Sequence, residues 1–404
     1  MNALAQVAPT DKATGVSPGM MAMLIFAVAV VVTTEFIVVG LLPVMARALG
    51  VSIVEAGWFV TWFALSSAAL GPILTIAAGG MEPRRVLAAA MLAFATGSFV
   101  VVLLPNYWVI VAVRIVQGAA LPVLVSIGSA FAAQLAGPGR EGRAIALVNL
   151  GVVIGIVLAI PAGVFVADRV GWQASFGGLA FLALAAALLI GVSFPRLALS
   201  DPPSIGAQAG ILRGARFQAH LLLSGALFTA MFCAYTYLAA YLETVGGLAG
   251  NEVALILMGF GAAGMIGNWI AGRIVDRGPT AATAAVAAVL AFAMTGVSLA
   301  GGKLYWLLPV LGFWGAAHTA GFVLCQVRVM LAGGEARAFA SSLNISVCNL
   351  GIALGAVAGG WVIDRHGIEA VGLGGAALAV GALVVALLIM AAPARSRPSV
   401  CEAR

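Results

Sequence analysis

Long apolar runs, broken by short polar interruptions, follow one another from about residue 20 to residue 391 of this 404-residue chain. Each run is about 20 residues long, enough to cross a ~30 Å hydrocarbon core at 1.5 Å per helical residue. With turn residues and charges as punctuation, the pattern predicts twelve helices over 21–45, 54–79, 86–104, 107–132, 144–166, 173–194, 218–242, 252–274, 280–300, 304–330, 340–362 and 369–391. The longest interruption runs from Pro195 and Arg196 through Asp201, Pro202 and Pro203 to Arg213 and Arg216, and divides the spans six and six. The fold class expected is an all-α membrane protein of twelve transmembrane helices in two six-helix bundles. The bundles would occupy 21–194 and 218–391, with a cytoplasmic linker over 195–217 and cytoplasmic tails over 1–20 and 392–404.

Composition agrees: 63% of residues are hydrophobic and 8% charged, about a third of the charge of a soluble globular protein. An ordinary soluble enzyme is thereby excluded. The net charge of +6 comes from basic residues scattered in ones and twos, with no basic stripe for nucleic acid. Assigned alternately to the two sides, the loops and tails place fifteen of the 20 basic residues on one side, Arg328 among them, and only Arg47, Arg169, Lys303 and Arg365 on the other. The positive-inside rule then puts both termini in the cytoplasm. The N-terminal stretch lacks the basic start and short apolar core of a secretory signal, so it is expected on the mature protein. Cys233, Cys325, Cys348 and Cys401 have neither C-x-x-C spacing nor His partners, so neither a disulfide, a metal nor a cofactor is expected.

The halves repeat. Asn149-Leu150-Gly151 followed by Gly155 recurs as Asn349-Leu350-Gly351 followed by Gly355, and Gly163, Asp168, Arg169 and Gly171 recur as Gly359, Asp364, Arg365 and Gly367. Spans 4 and 5 therefore correspond to spans 10 and 11. Two parallel six-helix repeats suit a carrier whose solute site lies at the repeat interface near the bilayer midplane.

Several segments carry a family resemblance. Thr33-Thr34-Glu35-Phe36 leading to Gly40-Leu41-Leu42-Pro43, and Arg114 with Gln117 and Gly118, are similar to spans 1 and 4 of the drug:proton antiporter family of the major facilitator superfamily. Gly151, Gly155, Pro161 and Gly163 ending at Gly171-Trp172 resemble that family's glycine-rich antiporter motif, and Tyr235-Thr236-Tyr237 its span 7. After span 8, Gly272-Arg273 with Asp276-Arg277 fits its cytoplasmic loop signature, whereas after span 2 Gly80 and Met81 stand where an Asp and an Arg are expected, leaving Arg84 and Arg85. The family also contains sugar and purine-nucleoside exporters, so the resemblance implies proton-coupled efflux of a small organic solute from the bacterial inner membrane.

Physical readings stand beside these motifs. Charges at the loop ends, Arg84, Arg85, Arg273, Asp276 and Arg277, either lock one bundle arrangement or serve as solvated decoration worth ~0–1 kcal/mol per pair. Gly151, Gly155, Gly351, Gly355 and Gly359 let helices approach closely, and Pro161 should bend its span. Gly259-Phe260-Gly261-Ala262-Ala263-Gly264 matches the dinucleotide fingerprint but lies inside an apolar run, with no strand before it.

Glu35, Arg114 and His318 are the ionisable residues read as lying well inside spans. A charge there costs ~2.5–3.5 kcal/mol on insertion scales, so each should face the protein interior. Glu35 is about 14 residues from the cytoplasmic end of its span and Arg114 about 7 from the outer end of its own, giving similar depths at 1.5 Å per residue. Burial favours a neutral carboxyl and a neighbouring guanidinium a charged one. A changing Glu35–Arg114 relation could thus alternate proton uptake with solute, although Arg114 could equally tie span 4 to Glu35 or to backbone carbonyls. In the arrangement the resemblance implies, spans 1, 4, 7 and 10 line the cavity. Phe232, Tyr235, Tyr237, Asn268, Trp314, His318 and Asn344 are the candidates for solute contact, since aromatic faces with a few amides suit a planar or amphipathic molecule.

With no nucleotide-binding motif, the energy must come from an ion gradient, worth ~2.3 kcal/mol per charge per 100 mV. A proton-coupled importer is the alternative carrier. A receptor or a membrane enzyme is a further alternative, but no H-E-x-x-H or G-x-S-x-G motif is present. The partners expected are a small organic solute, protons and the lipid bilayer, with the chain working as a monomer.

Overall fold

The computed structural model describes residues 17–137, 140–196, 210–334 and 336–392. Most of both tails and of the linker expected over 195–217 lies outside them. The described residues form helices without a strand, as the bilayer demands: lipid offers no hydrogen bonds, so each span must satisfy its own backbone. In chain order these are α1 (Pro18–Leu49), α2 (Ile53–Ala78), α3 (Pro83–Leu103), α4 (Tyr107–Ala136), α5 (Glu141–Val170) and α6 (Trp172–Ser193). The second half contains α7a (Ala215–Tyr235) with α7b (Leu238–Thr244), then α8 (Gly250–Ile274), α9 (Pro279–Ala300), α10 (Leu304–Ala332), α11 (Arg337–His366) and α12 (Val371–Ala391). Eleven spans meet the length and apolarity of a membrane crossing outright, and α5, bent by 43° between Val157 and Pro161, is the twelfth.

Local chemistry sets the ends. Ser17 accepts from the Met20 amide ahead of Pro18 at the first helical position, and Ser52 and Glu55 form a capping box at α2. Gly50 closes α1 at φ 66°, a left-handed conformation that favours glycine. We call the face where α1 begins and α12 ends the terminal face, and the other the distal face.

The expected glycine seams form in both halves. Along α5, a Cβ on Gly155 would stand 2.8 Å from the Val32 Cβ of α1, one on Gly151 would stand 2.9 Å from that of Val28, and Gly163 faces Ile37. Along α11, a Cβ on Gly355 would stand 2.6 Å from the Thr229 carbonyl of α7a and one on Gly351 2.7 Å from the Phe228 Cβ, while Gly359 faces the Cys233 carbonyl. Span 5 thus packs on span 1 as span 11 packs on span 7, the pairing that the internal repeat requires.

Span 7 is interrupted at Thr236–Tyr237. The Thr236 hydroxyl donates to the Phe232 carbonyl at 2.7 Å, while the Thr236 amide reaches the same oxygen only at 3.4 Å and the Tyr237 amide turns to Ala234. Contacts between the halves gather from the membrane centre to the distal face. Tyr237 packs against Gly57 of α2 and Gly360 of α11 and donates to the Ala356 carbonyl at 2.9 Å, and Gly261 of α8 lies on Val157 of α5. At the distal ends Arg47 of α1 pairs with Glu243 of α7b at 2.6 Å.

The seams are tight enough to test. Gly155→Val and Gly355→Val should each cost about 1–3 kcal/mol by overpacking and lower the Tm of the detergent-purified protein. Gly381→Val should leave it unchanged, because nothing lies within 4 Å of a Cβ there.

Candidate functional site

Midway along α1, Glu35 is buried at 8% exposure, and its carboxyl has no hydrogen-bond partner among the described residues. Arg114 reaches α1 from α4 but does not bind that carboxyl. Its guanidinium donates to the main-chain carbonyls of Thr34 (2.8 Å), Glu35 (2.9 Å) and Phe59 of α2 (3.2 Å), and it lies 4.1 Å from the Phe63 ring centre. Of the roles open to Arg114, the geometry realises the tie to backbone carbonyls. Arg114 is fully buried and joins α1, α2 and α4.

Beside Glu35 in sequence, Phe36 stacks on Phe232 of α7a, ring centres 5.8 Å apart. That contact opens onto an aromatic box around His318 of α10. The His318 ring lies 4.3 Å from Tyr235, 5.5 Å from Phe232, 5.8 Å from Phe260 of α8 and 5.7 Å from Phe322. Trp314, one turn from His318, meets Phe260 edge-on at 5.6 Å. His318 and Trp314 are each 1% exposed, yet both His318 nitrogens and the Trp314 indole nitrogen have no hydrogen-bond partner. A small cavity of about 10 Å³, lined by Pro161, Tyr235, Phe260, His318 and Thr319 among others, leaves room for about one water. Buried polar atoms without partners cost about 1–3 kcal/mol each, and three of them belong to this box.

Four of the expected solute contacts, Phe232, Tyr235, Trp314 and His318, therefore come together, and Phe36, Phe228, Phe260 and Phe322 join them unforeseen. Phe260 had sat unnoticed in the glycine decoy. Three candidates fall elsewhere. Tyr237, only two residues from Tyr235, is carried by the break in span 7 to the seam of α2 and α11. Asn344 donates to Gln326 at 2.8 Å in a polar group with Ser341, and Asn268 is half-buried on α8, two turns from Phe260 toward the terminal face.

The second half contains its own buried guanidinium. Arg328 is 1% exposed, which corrects its assignment to a terminal-side loop and the reading of Glu35, Arg114 and His318 as the deep ionisable set. It donates to the His220 carbonyl (2.8 Å) and the Ser224 hydroxyl (2.9 Å), with His220 Nδ1 at 3.0 Å. Span 10 is thus tied to span 7 as span 4 is tied to span 1. The signal was present as a single Arg in the apolar stretch Val327–Leu331.

The loop charges expected to gate make contacts within their own halves. Arg84 donates to the Phe194 carbonyl at 3.4 Å, Arg85 pairs with Glu82 at 2.9 Å, and Arg273 covers Trp269 at 3.4 Å. Arg277 is exposed, nothing lies within 4 Å of a Cβ on Gly272, and the Asp276 side chain lies outside the described residues. Among the described residues, Arg47–Glu243 is the ion pair that crosses between halves.

The family assignment follows from this architecture and from comparison. The Major Facilitator Superfamily profile matches residues 24–335. The chain belongs to that superfamily, and it is a multi-pass membrane transporter rather than an enzyme. It is 29% identical over 331 residues to the inner membrane transport protein YdhP of Escherichia coli (strain K12), covering 82% of this chain and 85% of that one. It is 29% identical over 358 residues to the MFS-type transporter YtbD of Bacillus subtilis (strain 168), covering 87% and 90%. A bacterial homolog of the human lysosomal transporter Spinster, solved in an inward-facing and occupied conformation, superposes with a TM-score of 0.76 at 13% identity over 92% of this chain and 95% of that one. That likeness is one of fold.

Arg114→Lys retains the charge but offers one nitrogen to three carbonyls. We expect it to lower the Tm of the purified transporter, with a loss of about 1–3 kcal/mol. An unchanged Tm would contradict the role of Arg114 as a tie between helices.

Proposed function

We propose that this transporter exports a small organic solute, of the drug, nucleoside, purine or sugar type, from the bacterial cytoplasm in exchange for protons, by alternating access. Both termini are cytoplasmic on this reading, so the terminal face looks into the cell and the distal closure faces outward. The observation that carries the proposal is Glu35, an acid midway through a membrane span whose carboxyl has no hydrogen-bond partner among the described residues. An intramembrane carboxyl left in that condition is costly unless it exchanges a proton. The nearby guanidinium is already engaged with carbonyls, so it lowers the cost of the carboxylate without fixing it in an ion pair.

Export is supported by the seam of Gly151, Gly155 and Gly163 on α1, which follows the antiporter pattern. The E. coli relative is an inner membrane transport protein, which supports the same membrane for this chain. The solute would part the rings around His318, satisfy the nitrogens of His318 and Trp314, and sit one helix away from Glu35. Binding and proton loss are then adjacent, as antiport requires.

The test is a pH jump across proteoliposomes containing the protein, with a purine nucleoside, a sugar and a cationic dye as solutes. We expect pH-driven movement of at least one of them, and its loss in Glu35→Gln with solute exchange at equal pH retained. Full pH-driven transport by Glu35→Gln would remove the assignment. Accumulation in everted but not in right-side-out vesicles would establish export, and the reverse would make the carrier an importer.

A further inference from the structure

At the distal face, two electrostatic contacts join the halves across one cavity of about 240 Å³. Arg47 pairs with Glu243 at 2.6 Å. Asp168 of α5, which lines the same cavity and has no ion-pair partner among the described residues, places its Oδ1 2.6 Å from the position a Cβ on Gly250 would take. Gly250 is the first residue of α8, at whose start the Glu252 carboxylate accepts from the Ala249 amide at 2.8 Å, so Asp168 meets a helix start whose partial positive charge is answered in part from within its own half. Each contact has one member in each half: Arg47 and Asp168 in the first, Glu243 and the α8 N-terminus in the second.

We infer that Arg47 exchanges carboxylate partners during transport, pairing with Glu243 while the distal side is closed and with Asp168 when it opens. The inference rests on the alternating-access reading above. Opening strips both cross-half contacts at once and leaves Arg47 and Asp168 in the first half without their partners in the second. In the first half these sit on a rigid pair of helices, since the glycine seam fixes Gly163 of α5 against Ile37 of α1. In that register Asp168 lies level with a point about five residues before Arg47, a rise of ~7.5 Å at 1.5 Å per residue, within reach of an arginine side chain. In the second half Glu243 faces the α8 start across the cavity they both line. Exchange leaves Arg47 paired with a carboxylate in both states, so the closure is specific yet easily released. Exposed pairs of this kind are weak enough to give about two- to fivefold changes in population.

The experiment measures the distance between spin labels at Leu104→Cys and Leu299→Cys, both exposed near the distal ends of their halves, in the full-length protein with Cys401→Ser and the three buried cysteines retained. Glu243→Gln should raise the distal-open share about two- to fivefold, whereas Arg47→Gln, which loses a partner in both states, should change it less. The deciding comparison is a double-mutant cycle. With Arg47 present, Asp168→Asn should lower the open share relative to its effect in an Arg47→Gln background. The exchange is overturned if Asp168→Asn acts equally in both backgrounds, or if Arg47→Gln opens the distal side as much as Glu243→Gln. A single label distance unchanged in every variant would overturn alternating access along with it.

Discussion

Inside a bilayer a polar group without a partner has no water to turn to, and most of this structure follows from how its few buried polar groups meet that constraint. Two guanidiniums are held by several partners each, although the Arg328 Nε has none among the described residues. Arg114 binds three main-chain carbonyls and a phenyl face, and Arg328 binds a carbonyl, a hydroxyl and an imidazole. Each joins the fourth helix of its half to the first. Glu35, His318 and Trp314 are left without such partners, and they lie at the centre of the molecule. On the proposed function, the bound cations hold the bundles, and Glu35, His318 and Trp314 are the groups that take up a proton or a solute.

The same logic sets what moves. Within each half, glycines bring the fifth helix of the repeat onto the first so closely that side chains cannot intervene. These units are therefore stiff. Between halves the contacts include an ion pair, a carboxylate at a helix start, a tyrosine lodged among glycines, the Phe36–Phe232 stack and Gly261 on Val157. Such contacts depend on alignment and give way together. The break at Thr236–Tyr237 divides span 7 into a part that contributes Phe232 and Tyr235 to the aromatic box and a part that carries Glu243 of the distal ion pair.

Much of this was legible in the sequence because membrane spans obey a strict rule of length and apolarity, and the repeat of Asn149–Gly155 as Asn349–Gly355 exposed the two halves. Glu35 and His318 stood out because an ionisable residue in an apolar run is conspicuous. Other features depended on information that a linear pattern does not carry. Whether Arg114 faces a carboxylate or a carbonyl is a matter of side-chain direction. Tyr235 and Tyr237 look equivalent until the interruption of span 7 at Thr236–Tyr237 sends them to different neighbours. Arg328, close to a loop, was counted with the loop although its neighbours enclose it. The loop motifs point to the terminal face, whereas the ion pair that crosses the halves joins Arg47 and Glu243, residues far apart in sequence.

The central claim is that the proton carried against solute resides on Glu35. The most direct measurement is proton release when solute binds: lightly buffered, detergent-purified protein with a pH-sensitive dye, titrated with whichever panel compound the proteoliposomes transport. The account predicts that the wild-type protein acidifies the medium on binding and that Glu35→Gln binds the same compound without acidification. Acidification of equal size in both proteins would contradict it.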